Sequence, residues 1–582
     1  MNQLMRRASA ACALACLALS GCSMPASPPP AAAPAPTPSW SQFVDGYLEA
    51  WFKAHPTQAV NAGRHEYDGI LPDWTPEGLQ REVARLHAAR ERASAFPDAA
   101  LSEADRFERD YVISRIDADL FWLEVSNAAF ENPAFYLGMS DWGDSLDPSV
   151  YVMRPYANID ERARSMTHYL KSVADAVPQI RKNLRTPMPA TFVDLGIAGF
   201  GGFADFYRHD VTKAFAAVAD PAIKAELTAA IEPAAAAMQG LADWLKGEKS
   251  RATGPIALGA ERYAKMLSMT ESVDLPLSAI DSAGRADLER NLAALKEACA
   301  AFAKGASESA CVVKVGAHKP KGGAVEGARA QLAGLRQFVV DKHVVSIPGE
   351  EQAQVAEAPP FNRQNFAYID IPGPYEHGLP STYYIAPPDP KWSKKDRDAY
   401  VPGQAILLFT SAHEVWPGHF LQFLHANRVK SKFGQVFVGY AFAEGWAHYA
   451  EELMWEEGLG GDPETHIGQL SEALLRNVRF LSSIGIHTGG MTVAQSEQMF
   501  LNQAFQDPGN ARQQAARATY DPGYLNYLLG KLMIRKLRAD WTATRGGQAA
   551  WQDFHDKLLS YGGPPLPLVR RAMLGPNSGA LL

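Results

Sequence analysis

The sequence is poor in cysteine and has no excess of positive charge. Five cysteines in 582 residues are too few for a scaffold held together mainly by disulfides. Lysine and arginine number 56 against 64 aspartates and glutamates, so the formal net charge at pH 7 is −8. Proteins that bind nucleic acid usually present a basic surface, and no basic patch stands out here. The composition therefore argues against a nucleic-acid partner.

An apolar run follows Arg6 and Arg7 at the amino terminus and ends at Leu19. It is too short for a permanent membrane-spanning helix and suits the apolar core of a secretion signal. It closes on Leu-Ser-Gly-Cys at 19–22, which resembles the lipobox of bacterial lipoproteins, where the cysteine is acylated and becomes the mature amino terminus. We predict a lipoprotein signal peptide over residues 1–21 and lipidation of Cys22. The alternative is a soluble periplasmic protein cut before that cysteine.

The residues after Cys22 indicate where the protein is anchored. Ser23 follows the cysteine, which in Gram-negative lipoproteins usually goes with the outer membrane, so we expect an exported protein anchored there and facing the periplasm. From Pro25 to Pro38 the chain is almost entirely Pro, Ala and Ser, a composition typical of an extended linker. We predict a linker over 22–39 and one large body over 40–582. The oligomeric state is left open.

Three of the five cysteines belong to the export signal, which leaves Cys299 and Cys311. In an exported, oxidising context a disulfide between them is plausible. The alternative is two small buried residues on neighbouring turns. Both remain open because the separation of the two Cα atoms decides between them.

The body shows mostly helical periodicity, with apolar residues three and four positions apart. Strand signals are confined to Asn365–Ile371 and Ser381–Ala386, a predicted antiparallel pair near the active site. Val312–Val315 and Lys319–Gly323 are predicted as a surface loop. The fold class is therefore mostly α with a small β element. The predicted helices are Gln80–Ala95, Ala104–Phe130, Ile159–Arg185, Ile223–Lys246, Ala279–Ala303 and Ala324–His343.

The chemistry is concentrated between residues 403 and 530. His-Glu-Val-Trp-Pro-Gly-His occupies 413–419, and Glu444 follows 25 positions later in Glu-Gly-Trp-Ala-His-Tyr-Ala-Glu. Two histidines and a distant glutamate form the three-ligand set of a catalytic zinc site, which keeps a fourth position for water. The carboxylate beside the first histidine, Glu414, is placed to take that water's proton. We predict one zinc ion per chain, bound by His413, His419 and Glu444.

The two histidines are six positions apart, whereas the best-known motif places them four apart. On a regular helix six residues rotate by about 600°, which leaves the second histidine about 240° from the first. The intervening residues include Pro417 and Gly418, the pair most able to break a helix. We therefore predict that the helix ends or bulges there and that His419 turns back towards the metal.

Other side chains near this site are alternative ligands or could hold the ligands in position. His425 and His448 could compete as ligands, although packing is the more ordinary role for each. His448 and Glu451 lie four and seven positions after Glu444, on the same helix face. We expect His448 to line the site or to support it from behind. Glu451 could orient a metal-bound histidine by accepting its other N–H, and a solvated carboxylate is the alternative.

The pattern His-Glu-x-x-Pro-Gly-His with Glu-Gly-Trp-Ala-x-Tyr-x-Glu resembles the bacterial family catalogued as domain of unknown function 885. That family is similar to the gluzincin metallopeptidases. The likeness extends to the opening segment Pro56–Asp73, with its Gly63, His65, Tyr67 and Asp68. It also includes Gly485-Ile486-His487 and the stretch from Arg517 through Pro522-Gly523 to Tyr527 and Gly530.

The resemblance implies a large helical metallopeptidase-like body with a central cleft. Carried over residue by residue, it makes His413, His419 and Glu444 the zinc ligands and Glu414 the general base. The chain departs from the family at Ser483, where Asp is usual, and at Tyr524, where Gln is usual. Neither departure touches the ligands, but both bear on substrate preference.

Hydrolysis of an amide creates an oxyanion that needs a hydrogen-bond donor. Related gluzincins take such donors from the chain downstream of the third ligand, and we predict this role for Tyr527 and His487. Tyr520 and Tyr524 are rivals. The strand pair, with Tyr368, Tyr383 and Tyr384, could hold an extended peptide by edge pairing; those three tyrosines lie between 365 and 386.

The sequence therefore predicts a zinc metallopeptidase that cleaves peptides in the cell envelope and is held at a membrane by its lipid. One alternative is a zinc hydrolase of a non-peptide amide or ester, which would use the same metal centre. A second is a non-catalytic lipoprotein that binds peptide in the cleft. Exopeptidase and endopeptidase action, side-chain preference and the natural substrate are left open.

Overall fold

Helices account for most of the chain in the computed structural model, which describes residues 39–138, 144–359, 362–363 and 365–582. The mostly α fold class is confirmed. The described part of Trp40–Leu582 groups into one unit. No helix in these ranges combines the length and apolarity needed to cross a bilayer. The predicted signal peptide, Cys22 and almost all of the linker lie outside the described residues.

The α-helices of the first half range from 4 to 28 residues in length. They are α1 (Trp40–Ala54), α2 (Pro56–Asn61), α3 (Pro76–Ser94), α4 (Glu103–Leu120), α5 (Ala128–Glu131), α6 (Ala134–Leu137), α7 (Ser149–Met153), α8 (Ile159–Asn183), α9 (Ala190–His209), α10 (Val211–Ala214), α11 (Pro221–Glu248), α12 (Ala260–Glu271), α13 (Leu277–Phe302), α14 (Glu308–Ala317) and α15 (Ala324–Asp341).

The second half contains a small sheet and then the helices that carry the predicted site. The strands are β1 (Ala353–Glu357), β2 (Ala367–Asp370) and β3 (Ser381–Ile385). The helices are α16 (Lys394–Tyr400), α17 (Gln404–Glu414), α18 (His419–Ala426), α19 (Lys432–Val436), α20 (Tyr440–Glu456), α21 (Pro463–Thr488), α22 (Val493–Asn502), α23 (Pro508–Tyr520), α24 (Asn526–Thr542), α25 (Trp551–Leu559) and α26 (Leu566–Leu574).

Several helices begin beside a side chain that caps a free backbone N–H group. The Thr75 side chain accepts the N–H of Gly78 at the start of α3. Ser102 and Asp105 form a reciprocal capping box at the start of α4, and Asp462 caps α21. These local signals explain why most predicted helices are found with ends shifted by only a few residues.

The single helix predicted over Ala104–Phe130 is wrong. Helix α4 ends at Leu120 and is followed by a π-helical turn over Phe121–Val125, after which α5 begins at Ala128. Asn127 adopts a positive φ of 52°. That left-handed conformation cannot continue an α-helix, so the chain changes direction there.

Val312–Val315 is helical and is not the loop that we predicted. Ser307 caps α14 by accepting the N–H of Ala310, and Cys311 and Val315 form its buried face one turn apart. Lys319–Gly323 does form the turn between α14 and α15. Cys311 is joined by a disulfide bond to Cys299 of α13, with Cα atoms 5.8 Å apart.

The sheet has one more strand than predicted, because β1 pairs with β3 in parallel. The antiparallel pairing of β2 with β3 is confirmed. The strand order is β1-β3-β2, so β3 is central and both of its edges are occupied. Edge pairing of a peptide with β3 is therefore excluded, whereas edge pairing with β2 stays a prediction. Tyr383 on β3 is completely buried.

Two glycines set the distance between α20 and α24. A Cβ atom on Gly445 would lie 2.5 Å from the Cα of Gly530, and one on Gly530 would lie 1.9 Å from the carbonyl oxygen of Ala441. Neither helix could approach so closely with a side chain at these positions. The contact brings the first turn of α24, with Tyr527, beside the part of α20 that carries Glu444.

We expect Gly530→Ala to destabilise the protein by roughly 1–3 kcal/mol, because the added methyl group overpacks this contact. Gly240→Ala is the matched control, since Gly240 lies within α11 and a Cβ there would meet no atom within 4 Å. The control should gain about 0.4–1 kcal/mol from reduced freedom of the unfolded chain. Denaturant unfolding of both variants measures the difference. If both variants gained the same stability, the contact between Gly445 and Gly530 would not limit how closely α20 and α24 approach.

Candidate metal centre

The helix that carries His413 ends one residue later, at Glu414. The N–H of Gly418 donates to the carbonyl oxygen of Ala412 over 2.9 Å. A Cβ atom on Gly418 would lie 1.7 Å from the carbonyl oxygen of His413, so no other residue fits there without movement. A new helix, α18, begins at His419. The break that the sequence predicted at Pro417 and Gly418 is therefore present.

The turn is fixed to α20 as well as to α17. The indole N–H of Trp446 donates to the carbonyl oxygen of Pro417 over 2.8 Å, in a fully buried contact. Trp446 lies two residues after Glu444 on the same helix. One side chain of the second motif therefore holds the turn of the first motif in place.

The side chains of His413, His419 and Glu444 meet at one point. The Nε2 atom of each histidine lies 3.3 Å from Oε2 of Glu444. The two imidazole rings are 4.8 Å apart and nearly perpendicular, at 89°. One potential ligand atom from each residue lies within 4.8 Å of the other two. The three predicted ligands therefore come together, each from a different helix.

The donor atoms and their hydrogen bonds fit a divalent metal ion. Two imidazole nitrogens and one carboxylate oxygen are a ligand set found in catalytic zinc sites. His413 donates its Nδ1–H to Oε1 of Glu451 over 2.7 Å, which leaves the lone pair on Nε2 free to bind an ion. Oε2 of Glu444 is buried and accepts no hydrogen bond from the described residues. An ion between these atoms would satisfy all three.

Glu451 is completely buried and serves more than one partner. Its Oε2 lies 3.2 Å from Nδ1 of His448, and its Oε1 lies 3.4 Å from Arg476. Burial alone would raise the pKa of Glu451, but the charge of Arg476 and the two histidine contacts outweigh it and hold that pKa well below its usual range. The carboxylate therefore stays ionised, so it can accept the N–H of His413.

His448 lies behind the ligands and not among them. It is fully buried and hydrogen-bonded to Glu451. Burial, helped by the charge of Lys531, lowers its pKa to about 4, so the ring is neutral at neutral pH. His425, the other rival ligand, places Nε2 2.8 Å from the carbonyl oxygen of Ser346. Neither belongs to the three-residue cluster.

The charges of the three predicted ligands act on the carboxyl group of Glu414. Only 8% of the residue is exposed. Burial raises its pKa, while the charges of His413 and His419 act in the opposite direction and that of Glu444 raises it further. A carboxyl group whose pKa is raised is a better proton acceptor than an exposed glutamate.

Tyr527 lies against the first ligand. Its ring is stacked 6.4 Å from that of His413, with an angle of 17° between the planes. Burial, followed by the charge of Glu444, raises the pKa of its phenol, so the hydroxyl keeps its proton. Tyr440, which the sequence analysis missed, packs edge-on against Tyr527 at 5.8 Å. It lies four residues before Glu444, and that helical spacing was the signal that could have identified it.

His487 does not suit the role that we predicted for it. Its Nε2 lies 2.9 Å from the carbonyl oxygen of Ala518, so this nitrogen carries the proton and donates it there. Burial lowers the pKa of the ring to about 4, so no second N–H is available near neutral pH. His487 is also stacked on Tyr263, at 5.7 Å. These contacts describe a packing residue.

The two rival tyrosines differ in their surroundings. Tyr524 is completely buried, and its hydroxyl donates to Gln514. Tyr520 is 7% exposed and lies at the end of α23. Among the four residues considered as oxyanion donors, Tyr527 is the one for which the described structure records a ring contact with a predicted ligand.

Solvent reaches the cluster from the side of Glu444. The exposed fractions of the side chains are 6% for His413, 11% for His419 and 20% for Glu444. The site is thus recessed and still accessible. The extended central cleft expected from the resemblance stays a prediction.

The chain belongs to the family described as bacterial protein of unknown function (DUF885), whose model matches residues 56–573. No curated protein matches it. Two solved structures are similar in fold. One, a candidate lipoprotein of unknown function from Shewanella oneidensis, is 22% identical with a TM-score of 0.75, over 92% of this chain and 100% of that one. The other, a candidate lipoprotein from Colwellia psychrerythraea, is 18% identical with a TM-score of 0.77, over 92% and 99%.

We expect the purified protein to contain about one zinc ion per chain and His419→Ala to lose it, because two ligands do not hold zinc tightly. His425→Ala, on the same helix but outside the cluster, is the matched control and should keep the metal. Elemental analysis after dialysis measures both. A His419→Ala variant with unchanged zinc content would exclude this ligand set and make His448 the next candidate.

Proposed function

We propose that this chain is a zinc-dependent hydrolase that cleaves peptide bonds in the cell envelope. The observation that carries the proposal is the meeting of two imidazole Nε2 atoms at one buried oxygen of Glu444, with each nitrogen 3.3 Å away. An incidental helix face does not bring three such atoms together from three helices. The orienting contact from Glu451 to His413 gives additional support.

His413, His419 and Glu444 would hold the ion, which when bound would supply the Lewis acidity that polarises a carbonyl group and makes water a nucleophile near neutral pH. Glu414 would accept the proton from the attacking water. It would then pass that proton to the leaving amine, which needs it in order to depart as a neutral group. The burial that raises the pKa of Glu414 suits both transfers.

Tyr527 would donate its phenol O–H to the oxyanion that develops on the substrate. Its proton is retained at neutral pH because burial and the nearby charge of Glu444 oppose ionisation. Stacking on His413 and edge packing from Tyr440 hold the ring in place, so the donor needs little reorganisation.

We further propose that the protein is exported and that a lipid on Cys22 attaches it to the outer membrane, with the protein facing the periplasm. The support is the Leu-Ser-Gly-Cys sequence at 19–22 and Ser23 after it. The two structural relatives are themselves described as candidate lipoproteins. The Cys299–Cys311 disulfide is consistent with an oxidising compartment.

Glu414→Gln should retain zinc and the fold but lower kcat by roughly 10²–10⁴-fold, since an amide cannot accept the proton from water. Digestion of a peptide library, with and without a chelator, followed by sequencing of the products, measures the activity. Glu326→Gln is the control, because Glu326 is 59% exposed and pairs only with Arg329 among the described residues. Full activity in Glu414→Gln would remove this residue from the mechanism. An uncut peptide library, together with chelator-sensitive hydrolysis of separate ester substrates, would favour a non-peptide hydrolase.

Cys22→Ser should abolish lipid attachment, since a hydroxyl group does not replace the thiol in the lipoprotein pathway. We expect the variant to remain uncleaved by that pathway or to be released in soluble form. Membrane fractionation and mass spectrometry of the amino terminus give the readout. Equal, lipid-bearing membrane association of the variant and the wild type would show that another anchor exists.

A further inference from the structure

Two arginines converge beside the candidate metal centre. The guanidinium of Arg479, on α21, lies 4.8 Å from the ring centre of Tyr524 and 5.0 Å from that of Tyr527. The guanidinium of Arg517, on α23, lies 4.5 Å from the same Tyr524 ring. Both guanidinium groups therefore contact the ring of Tyr524. Arg479 also contacts the ring of Tyr527, which faces the predicted ligand His413.

Only one of the two arginines is neutralised by a carboxylate. Arg517 pairs with Asp521, its Nε lying 3.2 Å from Oδ2, and its Nη2 lies 3.4 Å from the hydroxyl of Tyr440. Arg479 donates its Nε–H to Gln514 over 2.8 Å. In the described ranges no carboxylate lies within 4.0 Å of Arg479, and its two terminal amino groups make no hydrogen bond. The cluster thus has two positive charges and one negative charge.

Arg479 is only partly exposed, whereas charged side chains away from the surface are normally paired. Its planar guanidinium still has two terminal amino groups available. That fork matches the two oxygens of a carboxylate, which it can bind through two parallel hydrogen bonds. A carboxylate is therefore the kind of anion that Arg479 is best shaped to bind.

The distance to the ligands limits what the anion can be. Arg479 and His413 contact the ring of Tyr527, at 5.0 Å and 6.4 Å from its centre. At about 3.5 Å per residue, an extended peptide spans such a gap with roughly one to three residues.

We propose that Arg479, backed by Arg517 and Tyr524, binds the terminal carboxylate of a peptide substrate. The inference rests on the proposed peptidase function and specifies it, because the enzyme would then release one to three residues from the carboxyl end. A carboxylate on the last side chain offers the same chemistry from another source. The chain terminus is the source that we propose, because every linear peptide carries one whatever its sequence.

The test measures binding, so that it does not depend on turnover. Zinc-loaded, full-length Glu414→Gln protein is titrated with an amino-terminally fluorescent hexapeptide in three forms: free acid, carboxyl-terminal amide, and amide with aspartate as the last residue. We expect the free acid to bind about 10- to 100-fold more tightly than either amide, as for a charge-assisted hydrogen bond. In the same background, Arg479→Gln should abolish the difference. Arg512→Gln is the control for loss of one positive charge, since Arg512 lies on α23, the helix of Arg517, and is 64% exposed.

Equal affinity for the acid and the plain amide would overturn the subsite, as would a preference that survives Arg479→Gln. Tight binding of the aspartyl amide would contradict the terminal carboxylate and show that Arg479 binds a side-chain carboxylate. Hydrolysis of the same peptides by the wild type separates the two proposals. Cleavage without preference for the acid contradicts the subsite and leaves the peptidase function intact. Selective binding of the acid without cleavage supports the subsite and contradicts the peptidase function.

Discussion

The close contact of Gly418 with the last turn of α17 determines where His419 points. Two histidines six positions apart cannot share the face of one helix, so the chain must stop, turn and start again within four residues. The turn is possible because Gly418 lies where any Cβ would collide with the carbonyl oxygen of His413. Trp446 then fastens the turn to α20 through the carbonyl of Pro417. The hydrogen bond from Trp446 to Pro417 therefore fixes the position of His419 relative to that of Glu444.

Behind the ligands, α20 carries two adjacent buried glutamates with different partners. Glu451 faces His413, His448 and Arg476. Glu452 faces Lys531 of α24, at 2.5 Å, and Arg290 of α13, at 2.9 Å. Burial alone would raise the pKa of Glu452, but the charges of Lys531, Arg535 and Arg290 lower it to about 2. Buried charges are tolerated only when they are paired. The ion pairs of Glu451 and those of Glu452 therefore fix α20 against its neighbours on two sides.

Local signals account for what the sequence predicted correctly. The two motifs that carry the predicted ligands are short and depend on residue type and spacing. The sequence alone could therefore predict that His413, His419 and Glu444 come together, and their binding of a metal stays a prediction. Helix caps such as Ser102 likewise act within a few residues. The spacing argument for Tyr527 was weaker, because its place beside His413 depends on the packing of α20 against α24 through Gly445 and Gly530.

The features that were missed depend on contacts between distant segments. β1 became visible only through its parallel pairing with β3, since a five-residue strand has too little pattern to stand out. Val312–Val315 looked like a loop because the lysine-rich and glycine-rich turn lies so close to it. Arg479 carries no motif at all. The role proposed for it depends on Tyr524, one of the two positions where we found a departure from the family pattern. Arg479, Arg517, Tyr524 and Tyr527 come from three helices and a turn.

The ligands come from α17, α18 and α20, so any ion bound there is a cross-link between three helices. Binding would then be linked to the mutual position of those helices, because an ion that binds only the folded arrangement stabilises it by mass action. A residue that never touches the ion can weaken its retention by loosening α20 against its neighbours. Metal affinity at this centre would therefore be a property of the helix assembly as a whole, and the melting temperature would depend on the free metal concentration.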